Sequence, residues 1–163
     1  MNYHNITKDD MRNGEGLRVV LWLAGCEHHC KNCQNPITWD PDGGVPFGVE
    51  AFNELIGYLK KDYISGITFS GGDPLHPNNR NMVLAMSRMI KTYLHKTVWL
   101  YTGYKWERVR YLRGIEYVDV IVDGPFVEEL ADVNYHWAGS TNQRVIDVQR
   151  SLVNGTVELY ESL

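Results

Sequence analysis

Apolar positions along the chain follow two alternating patterns. Leu17–Ala24 is a short, nearly continuous apolar run rich in β-formers, as expected of a strand covered on both faces, and it stops at Gly25. In the stretch 48–61 the apolar residues Phe52, Leu55, Ile56 and Leu59 recur at i, i+3, i+4 and i+7, one face of a helix. A second strand is predicted over Ile64–Ser70, ending in Gly71-Gly72-Asp73-Pro74. Beyond Pro77 and the capping residues Asn78 and Asn79, the positions Met82, Met86, Met89, Ile90 and Tyr93 repeat at helical spacing, and the methionines read as core packing. Thr97–Thr102 predicts a third strand, Trp106–Leu112 a short helix and Tyr117–Asp123 a fourth strand. The rest is less regular, with one helical turn at Val127–Leu130 and strands at Arg144–Val148 and Thr156–Tyr160.

Such alternation implies βαβ units with right-handed crossovers and a mainly parallel sheet. It also has a geometric consequence for function. The loop after Gly25, the segment Gly71-Gly72-Asp73, the segment Thr102-Gly103-Tyr104 and the segment Asp123-Gly124-Pro125 each follow a predicted strand. All four therefore lie at carboxyl ends of parallel strands, where α/β sheets and barrels hold their ligands, and they can converge on one pocket.

Composition narrows the class. A chain of 163 residues is expected to form a single domain over 1–163, and 44% hydrophobic content is enough for a buried core and excludes disorder. Sixteen Lys and Arg against twenty Asp and Glu leave a net charge of −4, so no global attraction to nucleic acid or to an anionic membrane is expected. The first ten residues lack the zones of a secretory leader, and no run approaches the roughly 18 apolar residues needed to span a bilayer. The expected location is the cytoplasm, where thiols stay reduced and free to bind metal.

The three cysteines are all in one loop. Cys26-Glu27-His28-His29-Cys30-Lys31-Asn32-Cys33 is a C-x3-C-x2-C motif, and the chain has no other cysteine. Three thiolates on such a loop suit three irons of a cubane iron–sulfur cluster and leave the fourth iron to another ligand. A Cys3His zinc site completed by His28, His29, His76 or His95 is the main alternative, although structural zinc usually draws ligand pairs from two separated knuckles. Packing thiols are a third reading. A redox dithiol made of Cys30 and Cys33 would leave Cys26 without a purpose.

With both the cysteine motif and the glycine pair in hand, the sequence resembles the radical S-adenosylmethionine (SAM) enzymes, and within them the activating proteins of anaerobic ribonucleotide reductases. The resemblance runs almost the whole length. It includes the stretch 13–18, Cys26 to Cys33 followed by Asn35-Pro36, Ser70 through Pro77, Trp99 through Tyr104, Val120 through Gly124 and Gly139 through Arg144. It implies a [4Fe-4S] cluster on Cys26, Cys30 and Cys33, with SAM on the open iron. One-electron reduction by a reductant protein then yields a 5′-deoxyadenosyl radical, which takes a hydrogen atom from a glycine near the C-terminus of the large subunit of the reductase. Another glycyl-radical enzyme or a small molecule as target, and a zinc-binding interaction module without catalysis, are the rival functions.

The resemblance also assigns residues. Gly71 and Gly72 let the backbone approach the methionine part of SAM, Asp73 adds negative charge there, and Pro74 fixes the departure of the chain. Asp73 has an ordinary alternative as a turn or cap residue. Asn32, Cys33 and Gln34 are expected to meet adenine through their backbone; family members often carry aromatic residues at the two positions flanking the third cysteine, and Asn32 and Gln34 cannot stack. His28 and His29 read as exposed or as packing around the cluster. Thr102, Tyr104 and Asp123 border SAM or the incoming peptide, and Asn142 and Arg144 help hold the SAM carboxylate or the partner; turn and salt-bridge roles are the plain alternatives. Since a full eight-unit barrel takes about 250 residues, the expected fold is an incomplete (β/α) barrel, a partial TIM barrel with a mainly parallel sheet of five or six strands. Its open side would admit the glycine loop of the reductase.

Overall fold

The computed structural model describes residues 1–162. Seven strands, β1 (Asn2–Asp10), β2 (Arg18–Leu23), β3 (Val45–Pro46), β4 (Gly66–Gly71), β5 (Thr97–Tyr101), β6 (Val120–Asp123) and β7 (Arg144–Asp147), form one sheet in the order β3-β1-β2-β4-β5-β6-β7. The helices are α1 (Val49–Leu59), α2 (Arg80–Met89), which a π-turn over Ile90–Leu94 prolongs, α3 (Trp106–Val109) and α4 (Val148–Asn154).

This architecture corrects the expected partial barrel. The sheet is open and mixed, with seven strands. β2, β4, β5 and β6 are parallel neighbours, whereas β1 on β2, β3 on β1 and β7 on β6 pair antiparallel. Two features hide this in the sequence. β1, Asn-Tyr-His-Asn-Ile-Thr-Lys-Asp-Asp, is polar and at most half-buried along its length, so its strand state comes from pairing with β2 rather than from its own apolarity. β7 is reached through residues 124–143, long enough for a parallel crossover, so connection length does not reveal that the chain returns antiparallel. The expected strand at Thr156–Tyr160 is reduced to a single bridge between Ile146 and Leu159.

Alternate residues of the central strands build the core. Val19, Leu21 and Leu23 of β2, Ile67 and Phe69 of β4, Val98 and Leu100 of β5 and Ile121 of β6 share one buried cluster with Leu55 and Leu59 of α1 and with Val83, Met86 and Ile90 of α2 and its extension. The inward face of α2 is thus turned from the methionine stripe the spacing predicts: Met86 is buried, but Met82 and Tyr93 are exposed.

At the amino ends of the strands a buried cation ties the sheet together. Arg18 donates to Thr68 Oγ1 at 2.9 Å, Ile67 O at 2.7 Å, Thr97 Oγ1 at 2.9 Å, Thr97 O at 3.1 Å and Glu15 O at 2.9 Å. Its guanidinium also lies 5.6 Å from the centre of the Trp99 ring. Burial pushes its pKa down to about 10. The opposite, carboxyl ends of β2, β4, β5 and β6 carry the cysteine loop and the other segments singled out in the sequence. Among the described residues no helix is long and apolar enough to cross a membrane.

Candidate functional site

Two adjoining spaces open at those carboxyl ends. The inner one, about 150 Å³, is lined by Cys26, Cys30 and Cys33 together with Gly71, Gly72, Asp73, Tyr101 and Thr102. The outer one, about 1060 Å³, is lined by Lys105, Glu107, Arg108, Asp123, Asn142 and Arg144 among others. His28, Gly103, Gly124 and Pro125 belong to the walls of both. The three cysteines and the strand-end segments singled out in the sequence thus meet around one opening. Asn32 and Gln34 lie outside both linings; Asn32 instead donates to Glu128, which Lys31 also approaches at 3.5 Å.

The cysteine loop is tightly wound. His29 and Asn32 take left-handed backbone angles, φ 49° and 56°, which non-glycine residues adopt uncommonly. Cys33 N donates to Cys30 O at 3.1 Å, and the amide of Asn35 donates to Cys33 Sγ at 3.4 Å. Backbone bonds from Gly25 N to Thr38 O (2.7 Å) and from Cys26 N to Trp39 O (3.1 Å) anchor the start of the loop. Burial pushes the Cys26 thiol up to about 11, against the lowering effect of a backbone bond from His28.

The glycine pair also has a use within the fold itself. A Cβ on Gly71, whose φ is +103°, would lie 2.4 Å from Leu23 N and 2.6 Å from Leu23 O; one on Gly72 would lie 2.5 Å from Gly25 O. Both glycines therefore serve close backbone contact between β4 and the end of β2, sealed by Gly72 N donating to Leu23 O (2.8 Å) and Asp73 N to Gly25 O (2.7 Å). They still form part of the inner wall.

Asp73 is a joint between loops. It is 1% exposed. Its Oδ1 accepts from Leu75 N at 2.9 Å, while Oδ2 accepts from Thr102 Oγ1 at 3.0 Å and Gly103 N at 2.9 Å and sits 2.5 Å from His28 Nε2. The turn role and the place on the cavity wall coexist in one residue. Asn79, read from the sequence only as a cap, steadies the same corner by donating to Ala24 O (2.8 Å) and Asp73 O (3.1 Å).

In the outer space Asp123 and Arg144 bind each other. Asp123, 1% exposed, accepts from Arg144 Nε at 3.1 Å and Nη2 at 2.6 Å and from Trp106 N at 2.8 Å. Arg144 completes its fork on Glu107, at 3.0 and 2.9 Å. Bonds to Asp123 and Glu107 hold the guanidinium protonated above its ordinary range, and Arg144 in turn draws Glu107 down to about 2. Asn142 donates to Pro125 O at 2.8 Å.

Comparison with known proteins fits this geometry. Residues 12–146 match the family model of a 4Fe-4S single cluster domain. A protein of Enterobacteria phage T4 named anaerobic ribonucleoside-triphosphate reductase-activating protein is 42% identical over 146 residues, covering 89% of this chain and 93% of that protein. Proteins of the same name from Vibrio cholerae (40% over 148 residues, 88% and 96% covered) and Escherichia coli K12 (38% over 150 residues, 89% and 97%) align as fully. The chain belongs to this family of activating proteins.

The donor set of this family member suits the cluster its family model describes. Three free thiols face one cavity and no fourth cysteine exists in the chain. Among the described residues no group of three His, Cys, Asp or Glu side chains is already gathered to hold a metal ion, so the thiols share a wall without being drawn to one point. Of the nearby histidines, His28 meets Asp73 through Nε2, His29 lies edge-on to Trp39 at 4.6 Å, and His76 Nδ1 accepts from Asn78 N at 3.1 Å. The family model, which describes a 4Fe-4S cluster, favours iron over a Cys3His zinc site. The place of His28 in this wall agrees with its reading as packing around the cysteine loop; its bond to Asp73, 45 residues on, has no signal in the sequence.

Proposed function

We propose that the chain is a radical SAM activase, one domain over 1–163 working in the cytoplasm, whose target is the large subunit of the anaerobic ribonucleotide reductase. The observation that carries this reading is the meeting of Cys26, Cys30 and Cys33 with the Gly71-Gly72-Asp73 strand end around one cavity that adjoins a wide cleft. Cys26, Cys30 and Cys33 would hold a [4Fe-4S] cluster by three of its irons, and with no fourth cysteine in the chain the remaining iron would be available to SAM. When bound and reduced by a one-electron donor protein, the cluster supplies the electron that splits the SAM sulfonium into methionine and a 5′-deoxyadenosyl radical, the agent that takes a hydrogen atom from the glycine of the reductase.

The protein's own part is to bind, orient and exclude water. Gly71, Gly72 and Asp73 share the cavity wall with the cysteines, and Thr102 extends it from the end of β5. Cys33, which lines the cavity, offers main-chain groups to adenine, and Asn32 and Gln34, outside both linings, flank it. Asp123 and Arg144 line the cleft through which the glycine loop enters, and closure by the partner excludes water and stray hydrogen donors.

Anaerobic reconstitution followed by reduction with SAM present tests the reading. About four irons per chain, release of 5′-deoxyadenosine and a glycine-centred radical in the electron paramagnetic resonance (EPR) spectrum of added reductase are expected. A fully loaded cluster that yields no 5′-deoxyadenosine overturns it. A radical that forms on a different glycyl-radical enzyme, and not on the reductase, reassigns the target.

A further inference from the structure

We propose that His28 is a positioning residue: its imidazole pins the cysteine loop to the sheet and forms the partition between the inner cavity and the outer cleft. The inference deepens the functional reading above and rests on Cys26, Cys30 and Cys33 being the cluster ligands.

Three contacts place the ring. Nε2 lies 2.5 Å from Asp73 Oδ2. That carboxylate is itself immobile, because Thr102 Oγ1, Gly103 N and Leu75 N all donate to it, so the ring is tied to the ends of β4 and β5 together. Gly103 leaves the ring its seat: a Cβ there would stand 2.4 Å from His28 Cδ2 and 2.6 Å from Nε2. The Tyr104 ring closes the far side edge-on, with centroids 4.5 Å apart at 71°.

The consequence follows from where the residue sits in the chain. His28 lies between Cys26 and Cys30, so fixing its ring fixes the backbone that aims both thiols. The His28 side chain is 16% exposed and lines both spaces. Removing it would merge the inner cavity with the cleft along that wall. Groups that orient metal ligands typically change metal affinity or activity about 10–100-fold when lost. Asp73, by contrast, keeps three donors without His28, so the sheet end itself survives the substitution.

The test uses the full chain, reconstituted anaerobically, with no SAM and no partner. The rate at which an iron chelator strips the cluster is followed by the loss of its visible absorbance, beside the EPR spectrum of the reduced cluster. His28→Ala should lose iron about tenfold faster than the unaltered chain and show a broadened or shifted EPR signal. His28→Gln, whose amide can still donate toward Asp73, should restore most of both. Gly103→Ala leaves His28 and Asp73 chemically intact but fills the ring's seat, and it should behave like His28→Ala. Circular dichroism of each variant confirms folding, and a purely structural role would lower the melting temperature without moving the EPR signal. Chelation rates within about twofold of the unaltered chain for both His28→Ala and Gly103→Ala, with unchanged spectra, overturn the proposal. Failure of the unaltered, loaded chain to cleave SAM overturns the functional reading alone, since these rates are read without SAM; failure to take up iron at all overturns both.

Discussion

Replacing Gly71 by alanine should destabilise the protein even when no cofactor is present. The backbone there has φ +103°, where a residue with a Cβ pays about 1–3 kcal/mol in strain. The added carbon would stand 2.4 Å from Leu23 N and 2.6 Å from Leu23 O. Those are backbone atoms of a buried strand, so relief requires moving β2 against β4, at a further cost typical of overpacking, about 1–3 kcal/mol. The neighbouring bond from Gly72 N to Leu23 O, 2.8 Å long, would lengthen or break, adding about 1 kcal/mol. The total, roughly 3–7 kcal/mol, is a large share of the 5–15 kcal/mol that domains generally have. At about 2–4 °C per kcal/mol for a chain of this size, the melting temperature of the metal-free protein should drop by at least about 6 °C in a circular-dichroism melt. Gly57 supplies the control: it lies exposed within α1, and a Cβ added there would have no neighbour within 4 Å, so Gly57→Ala should melt at the same temperature or slightly higher. If Gly71 is glycine only so that a cofactor can come close, the metal-free melt will not move. A melting temperature for Gly71→Ala within about 2 °C of the unaltered protein would refute the packing argument.

Other outcomes follow from the same geometry. Arg18→Lys removes most of five donations to β4, β5 and the Glu15 carbonyl and should cost roughly 2–4 kcal/mol in urea unfolding; iron uptake should be unaffected, since Arg18 sits at the far end of the strands. Cys30→Ser should abolish retention of a stable cluster, read as iron per chain after desalting. Glu107 is held down to about 2 by Arg144, so its contribution is present above the ordinary carboxylate value of 4.5 and fades as pH falls through about 2. The gap in melting temperature between the unaltered chain and Glu107→Gln should therefore narrow from pH 6 to pH 2, and it should be small throughout, because a pair this exposed is worth less than about 1 kcal/mol.

Particular residues show what could be read from the sequence. The strands β2, β4, β5 and β6 declare themselves because they are mostly buried and their segments are short, rich in apolar β-formers and followed by turn residues. The cysteine spacing and the strand-end glycines stand out because all three cysteines fall within eight residues and the glycine pair directly follows a predicted strand. β1 does not declare itself, because only Tyr3 and Ile6 reach the core cluster, and they do so partially. Helix α4 carries the ordinary start and stop signals, although it is too short for an apolar stripe to draw the eye: Asp147 caps it by accepting from Arg150 N at 3.0 Å, and Gly155 ends it at φ 75°. The face of α2 could not be fixed by spacing alone, because a methionine stripe and the row Val83, Met86, Ser87 and Ile90 are both helical periodicities.

Asp73 shows why motif reading and geometry differ in kind. Within Gly-Gly-Asp-Pro its charge points to a ligand, and within the fold its carboxylate accepts from the end of β5, from its own turn and from the cysteine loop. A one-dimensional pattern cannot reveal the second role, since His28 and Gly103 lie 45 and 30 residues away. Yet the two roles need each other. A carboxylate fixed by three donors holds its neighbours at set positions, and those neighbours are the loop that bears the thiols and the strand end that completes the cavity wall. Asp73→Asn should test the joint as distinct from the charge: the amide keeps the size but offers one acceptor where the carboxylate offers two. It should therefore loosen the 26–33 loop, measured as faster amide hydrogen exchange there in the metal-free chain. Unchanged exchange over that loop would mean that the loop is held by its own turns and that Asp73 contributes only its charge.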